Sequence, residues 1–360
     1  MRSSTTGKSS VTVDDGPELP AMFARYKSRV EQELSRSVPA PEGADPYLLL
    51  RYHLGWVDQY GSPAAVPISQ GKALRPTLCM FACEALEEDP ARAMPAAAAL
   101  ELIHNFSLIH DDIQDGASER RHQRTVWSLW GVPKALVAGN AMQSIGDMAL
   151  LDTSRYEAPP ETVLKVSQIL TDSYLEMIQG QCLDLAFESS TSIGTEDYLR
   201  MIAYKTGALI RSGLEIGALL ATDDPTALES FSRFGSYLGK AFQIRDDVLG
   251  IWGESYLTGK PAGNDIRRRK KSFPVVYAFE QASGQALEDL QRIYGKEQVD
   301  DEGVERVLAI LDEVGAQDRS ETLTEGAAGD ALEALKPIQM PNWAKDEAEA
   351  LVDFLARRQY

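Results

Sequence analysis

An all-α fold is predicted by three observations. Apolar residues recur at helical spacing almost throughout the chain, no convincing run of alternating β-branched residues interrupts them, and breakers come in short clusters. Leu74, Leu78, Phe81 and Ala85 step by four, three and four, which sets all of them on one helical face. Leu102, Phe106, Ile109 and Ile113 repeat that pattern, and a further helix reads from Phe231 through Tyr237, Leu238, Ala241 and Phe242 to Leu249. Gly116 and Gly250 stand where these last two helices could stop. Pro63 to Pro67, Pro90, Pro133, Pro159-Pro160, Pro225 and Gly259 to Gly263 punctuate the chain. They leave helices of roughly 12–25 residues between them. Past Gly295 the sequence reads as a looser acidic tail, closed by an amphipathic helix around 344–358. No internal repeat is found. The expectation is one domain over 18–360 behind a flexible segment, 1–17.

Composition bounds the function. An apolar share of 44% supplies a large core, and 27 Gly and 18 Pro without a period exclude a collagen-like or disordered chain. With 54 acidic side chains against 36 Lys and Arg, the formal charge is −18. Such a surface repels a phosphate backbone, so no nucleic-acid partner is expected. The cysteines, Cys79, Cys83 and Cys182, are too few and odd in number for a disulfide framework. Cys79 and Cys83 lie inside an apolar helical pattern, which fits reduced core thiols and a cytoplasmic location. No stretch approaches the roughly 18–20 uncharged apolar residues of a membrane span. The Ser/Thr-rich opening carries Arg2 and Lys8 but lacks the apolar run of a signal peptide. It reads as a flexible lead-in, with a short organelle-targeting peptide as the alternative.

Two acidic clusters carry the chemistry. Asp111-Asp112-Ile113-Gln114-Asp115 ends an apolar helix, and Asp111 and Asp115 share a face one turn apart. Like charges at that spacing repel unless a cation sits between them. One or two carboxylates, completed by water and substrate phosphates, are what Mg²⁺ prefers. Asp246-Asp247 forms a second cluster behind Phe242-Gln243-Ile244-Arg245. A lone Asp-Asp pair is most often a solvated helix terminus. Two of them, each behind an apolar helix with an aromatic residue just upstream, favour a site. Basic residues alternate with these clusters: Lys72 and Arg75, Arg120 and Arg121, Lys205, Lys260, and the run Arg267 to Lys271. Lys and Arg both suit phosphate oxygens, so anions held through bridging divalent metals are indicated.

Other motifs are weak. No phosphate-binding glycine loop, dinucleotide fingerprint or nucleophile elbow is present. Glu101-x-x-His104 and Glu119-x-x-His122 match the ligand spacing of a di-iron helix bundle. Against that reading, Arg120 and Arg121 lie inside the second match and Gly116 separates it from the first helix.

Taken together, these residues resemble the trans-polyprenyl diphosphate synthase family. The resemblance covers about 70–274. Gly71-Lys72-Ala73-Leu74-Arg75-Pro76 is similar to the family's Gly-Gly-Lys-Arg-x-Arg-Pro segment. His104 stands seven residues before Asp111-Asp112-x-x-Asp115, the first aspartate-rich motif, and Arg120-Arg121 follow it. Gly180-Gln181-x-x-Asp184, Lys205-Thr206 and Phe242-Gln243-Ile244-x-Asp246-Asp247 come next, in family order. Thr258-Gly259-Lys260-Pro261-x-Gly263-x-Asp265 and Lys270-Lys271-Ser272 complete it.

The resemblance implies an isoprenoid synthase type of fold, a bundle of 10–14 helices around a central apolar cavity. It also implies three Mg²⁺ ions bound with an allylic diphosphate. Asp111, Asp115 and Asp246 would coordinate them, with Asp112, Asp184 and Asp247 in support. Arg120, Lys205 and Lys260 would hold that diphosphate, with Lys270 or Lys271 nearby. Lys72, Arg75, His104 and Arg121 would bind isopentenyl diphosphate, and Thr206 and Gln243 would steady the allylic cation. A homodimer is implied as well.

Two positions depart from the family: Ala73 replaces a common Arg, and Gly250 stands where the second motif has its third Asp. The combination of Phe106, five before Asp111, and Ser107, four before, resembles enzymes making geranylgeranyl diphosphate, with farnesyl or longer products next. Two further classes remain as alternatives. A class I terpene cyclase would leave Lys72 and Arg75 unexplained and lacks its second motif here. A non-catalytic regulatory subunit would more readily have lost Asp111, Asp115 or Lys205.

Overall fold

The computed structural model describes residues 19–40, 46–64, 73–156, 158–188, 190, 193–253 and 263–358. Segment 1–17, Lys72 and Lys260 lie outside these. Among the described residues, ten α-helices lead up to and include the second acidic cluster: α1 (Ala21–Ser37), α2 (Tyr47–His53), α3 (Leu74–Ala85), α4 (Met94–Gln114), α5 (Val126–Trp130), α6 (Val132–Leu151), α7 (Pro160–Glu188), α8 (Thr195–Ile202), α9 (Ala208–Ala221) and α10 (Pro225–Trp252). Helices Asn264–Arg267, Phe273–Gln281, Gly284–Tyr294, Asp301–Glu313, Ala316–Leu335 and Asn342–Arg357 follow.

The breakers act as starts more than as gaps. Pro160 and Pro225 are the first residues of α7 and α10, and Pro133 is the second of α6, positions where a missing N–H costs nothing. Helices α7 and α10, at 29 and 28 residues, therefore outrun the expected lengths. Gly116 does end α4, with φ +61. Gly250 does not end α10, which continues to Trp252. Past Gly295 the chain is helical rather than loose: Val304, Val307, Ile310 and Leu311 are buried while the acids face outward. The one strand pair among the described residues is a hairpin, Glu119–Arg120 against Gln123–Arg124.

Helix α4 packs most closely on α6, α3 on α9, and α10 on both α9 and Ala316–Leu335. The largest apolar cluster joins α1 to α7, α9 and α10 with the last two helices. Two smaller clusters lie beside the end of α10, one around Ile251, Ile266 and Leu290, the other around Tyr198, Ile244 and Phe273. The sequence-distant ends of α4, α7 and α10 thereby come to a common region. No described helix is long and apolar enough to cross a membrane.

Candidate active site

Asp111 lies in the last turn of α4 and Asp115 just beyond it, held by its N–H to the Asp111 carbonyl at 2.8 Å. Burial pushes the Asp111 carboxyl up to about 6; Lys205 opposes the shift and Asp115 adds to it. A cation between the two acids would remove that penalty. Asp112 points the other way and is 2% exposed, accepting from Arg120 Nε at 2.8 Å. Its carboxylate is committed to the hairpin that carries Arg120.

On α10 the two acids also diverge. Asp246 is half exposed and pairs with Arg358 Nη2 at 3.1 Å. Asp247 is wholly buried, and its two oxygens accept from Gln243 Nε2 (3.2 Å), Lys270 Nζ (3.0 Å), the Phe273 N–H (2.9 Å) and the Tyr198 hydroxyl. Four donors leave it tying α10 to its neighbours rather than facing an open site. The two lysines expected near the diphosphate also part company. Lys270 faces Asp247 and Asp265, whereas the Lys271 amine sits over the rings of Phe279 and Tyr294, at 4.4 and 4.9 Å.

Lys205 and Thr206 stand on a π-helical turn, Ala203–Gly207, between α8 and α9. The wider turn is set against α7 at Gly180, where a Cβ would lie 2.2 Å from the Lys205 backbone nitrogen. Only glycine admits that approach. Lys205 Nζ then reaches Asp184 Oδ2 at 2.5 Å, and Thr206 Oγ1 donates to Gln243 Oε1 at 2.7 Å. Thr206, Gln243 and Asp247 form a continuous hydrogen-bonded line.

A separate cavity of about 220 Å³ is lined by Arg75, Glu101, His104, Arg121, Phe242 and Arg358 among others. Burial, opposed by Glu101, lowers Arg75 to about 10, and it holds His104 well below the usual imidazole range, with Arg75 and Arg121 adding to the effect. The Nε atoms of Arg75 and Arg358 are buried without a hydrogen-bond partner among the described residues. Buried guanidinium donors with none to give to suit a phosphate anion. Glu101 takes part as a counter-charge and accepts from Asn105, while Glu119 and His122 lie on the hairpin. The two Glu-x-x-His matches therefore do not form one metal site.

Arg358 is the residue that sequence reasoning missed. It is 6% exposed, stacks on Phe242 at 4.3 Å and pairs with Asp246. Its neighbour Arg357 makes only an exposed pair with Asp353, and nothing in the sequence separates the two.

Below Asp111, Phe106 is 4% exposed and meets Tyr174 of α7 and His110 edge-on, with centroids 6.4 and 5.8 Å away. Ser107 turns its hydroxyl back to the His104 carbonyl at 2.8 Å.

Among the described residues, no three His, Cys, Asp or Glu side chains converge to hold a cation unaided. The oxygen-only donors Asp111, Asp115 and Asp246, offered singly or in pairs beside lysines, fit Mg²⁺ that shares its shell with a diphosphate.

Comparison with known proteins identifies the family. Residues 59–311 match the polyprenyl synthetase family. A (2E,6E)-farnesyl diphosphate synthase of Mycobacterium tuberculosis is 44% identical over 235 residues, covering 65% of this chain and 64% of that protein. The chain thus spans under two thirds of that relative's length. A geranylgeranyl diphosphate synthase of the same organism is 39% identical over 264 residues, 73% of this chain and 74% of its own. The crystal structure of a polyprenyl synthetase from Streptomyces coelicolor superposes with a TM-score of 0.85 at 33% identity, covering 93% of this chain and 98% of that one. The matched region takes in α3 through α10 and both acidic helix ends, and the chain belongs to the polyprenyl synthetase family.

Proposed function

We propose that the chain is a prenyltransferase that condenses isopentenyl diphosphate with an allylic diphosphate, giving an all-trans polyprenyl diphosphate and releasing diphosphate. The observation that carries this reading is the presence of two differently built anion sites. One lies at the acidic ends of α4 and α10, beside Lys205 held by Asp184 and Lys270 held by Asp247; the other is the basic cavity around Arg75, His104 and Arg121. A donor whose diphosphate must leave and an acceptor whose diphosphate must stay need that division.

Asp111, Asp115 and Asp246 would hold Mg²⁺, with Asp184 beside Lys205. The ion would supply Lewis-acid stabilisation of the departing diphosphate. Lys205 adds positive charge where the leaving group gains negative charge, while Lys270 neutralises Asp247 at the end of α10. The C–O bond breaks with its electron pair going to the diphosphate, and an allylic cation remains. The Thr206–Gln243 line presents oxygen dipoles to that cation. The isopentenyl double bond attacks to form the new C–C bond, and the proton released passes to the departed diphosphate. Buried apolar side chains of α4 keep water from the cation.

Geranylgeranyl diphosphate is the favoured product, because Phe106 with Tyr174 stands across the path below Asp111 while Ser107 leaves room beside it. Farnesyl diphosphate is the second reading, supported by the 44% identity to a farnesyl synthase. A homodimer belongs to the same proposal. Helices α6 and α7 expose Leu136, Val137, Met148, Leu164 and Leu175, an apolar face that a second copy would cover.

The test is product analysis by mass spectrometry. Protein and Mg²⁺ are incubated with isopentenyl diphosphate and, separately, dimethylallyl, geranyl or farnesyl diphosphate, beside an EDTA control and Asp111→Ala. Elongation that depends on metal, on isopentenyl diphosphate and on Asp111 is expected. Turnover of an allylic diphosphate alone would indicate a cyclase, and no turnover with any starter would indicate a regulatory subunit.

A further inference from the structure

An amide that is to steady a cation must turn its oxygen toward it, and not its NH₂ group. Gln243 stands on α10 and reaches the π-helical turn, where its Oε1 accepts from Thr206 Oγ1 at 2.7 Å. Turned over, the same side chain would offer two N–H hydrogens to the allylic cation. Nothing on the Thr206 side prevents this, because a hydroxyl accepts as readily as it donates.

The choice is made one turn further along α10, at Asp247. Gln243 Nε2 donates to Asp247 Oδ1 at 3.2 Å, and a flipped amide would set oxygen against oxygen there. That bar holds only while the carboxylate stays an acceptor and keeps its plane. Its Oδ1 also takes Lys270 Nζ at 3.0 Å, and its Oδ2 takes the Phe273 N–H at 2.9 Å and the Tyr198 hydroxyl. Tyr198 is 1% exposed, packs in the cluster of Met201, Ile202, Ile244 and Phe273, and meets the Phe273 ring at 6.0 Å. Its hydroxyl is linked to Thr206 through Asp247 and Gln243. Helix α8 carries Tyr198 and the turn that follows it carries Thr206, so one stretch of chain grips α10 at both 243 and 247.

We propose that Tyr198 is a positioning residue for the reaction: by donating to Asp247 it holds the carboxylate that fixes the Gln243 amide with its oxygen toward Thr206, where the allylic cation forms. The inference rests on the prenyltransferase reading above. It gives the buried second acid of α10 the task of orienting an amide.

The experiment compares wild type, Tyr198→Phe and Asp247→Asn. Each is given Mg²⁺ and inorganic pyrophosphate with one of two probes, geranyl trimethylammonium or its neutral tert-butyl isostere, and both dissociation constants are measured by calorimetry. Their ratio reads recognition of positive charge, since shape and apolar contacts are shared. The single-turnover rate of elongation, KM for both substrates and the Mg²⁺ requirement are followed beside it. Tyr198→Phe keeps the ring and removes one oxygen. It is expected to lower the preference for the charged probe and the single-turnover rate about 10-fold each, below the full loss of a stabilising dipole because the amide is still present. KM and the Mg²⁺ requirement should stay within about twofold of wild type, the pattern of an interaction made in the transition state alone. Asp247→Asn should lose the same preference, because an amide at 247 can pair with either end of the Gln243 amide. A merely loosened site would weaken both probes together.

An unchanged preference in Tyr198→Phe overturns the inference, as does a wild type with no preference between the probes. If the Mg²⁺ requirement rises while the preference stands, the Asp247 carboxylate serves the metal instead. Should Tyr198→Phe fail to fold, Asp247→Asn decides alone by the same ratio. A wild type that elongates no allylic diphosphate overturns the prenyltransferase reading itself. Normal wild-type elongation with an unaltered Tyr198→Phe overturns this inference alone.

Discussion

The proposed function gives Phe106 two roles in one ring. It is a core side chain touching Tyr174 and His110, and it stands one to two turns below the first acidic pair. Phe106→Ala is expected to lose about 3 kcal/mol of stability, as large core truncations do. It should also lengthen the longest product by at least one isoprene unit, read by mass spectrometry; an unchanged product would put the floor elsewhere. His53 raises a different question at the same scale. Burial, with Arg121 and Arg120 adding to it, pushes its imidazole down to about 3 from an ordinary 6.5. The unfolded chain therefore binds the proton more readily than the folded one. This neutral histidine's contribution is fully present above pH 6.5 and is lost progressively as pH falls toward 3. His53→Asn should accordingly show a Tm that declines less than wild type between pH 7.5 and 4.5. A Tm difference constant over that range would show that His53 does not titrate as described.

At the scale of the element, the π-helical turn Ala203–Gly207 depends on its neighbour as much as on its own residues. Gly180→Ala places a methyl against the backbone of Lys205, and overpacking of this kind costs about 1–3 kcal/mol. The displaced turn should carry Lys205 and Thr206 with it, lowering kcat at least tenfold, about the loss for a misplaced catalytic group. Activity equal to wild type would mean that the turn is not what aims Lys205. Helices α4 and α10 were legible because their apolar spacing and their acids recur at one period. Gly250 was not, since a glycine that ends a helix and one that lies beneath a neighbouring segment look alike in a single sequence. The acidic stretch after Gly295 misled for a related reason. Its charges suggested looseness, whereas the buried face of Asp301–Glu313 is spaced at the helical period behind them. Arg358 and Lys271 were beyond reach of local pattern: one is drawn into the site by Phe242 and Asp246, the other away from it by Phe279 and Tyr294.

At the scale of the whole molecule, the apolar face of α6 and α7 predicts self-association. Light scattering after size exclusion should give twice the 39.5 kDa chain mass for wild type. Leu136→Glu with Leu164→Glu should shift it toward the monomer, because buried like charges at an isologous contact face each other across the axis. A monomeric wild type would leave that face for another partner. The basic cavity has a wider consequence. Its guanidinium groups are withdrawn beneath a surface of net charge −18, so a diphosphate approaching from a distance meets repulsion before it meets attraction. Salt shortens the reach of that outer field to about 8 Å at physiological ionic strength, while buried pairs are screened far less. On the proposed function, moderate salt is thus a door held open: it would speed the arrival of an anionic substrate without loosening the grip that awaits it inside.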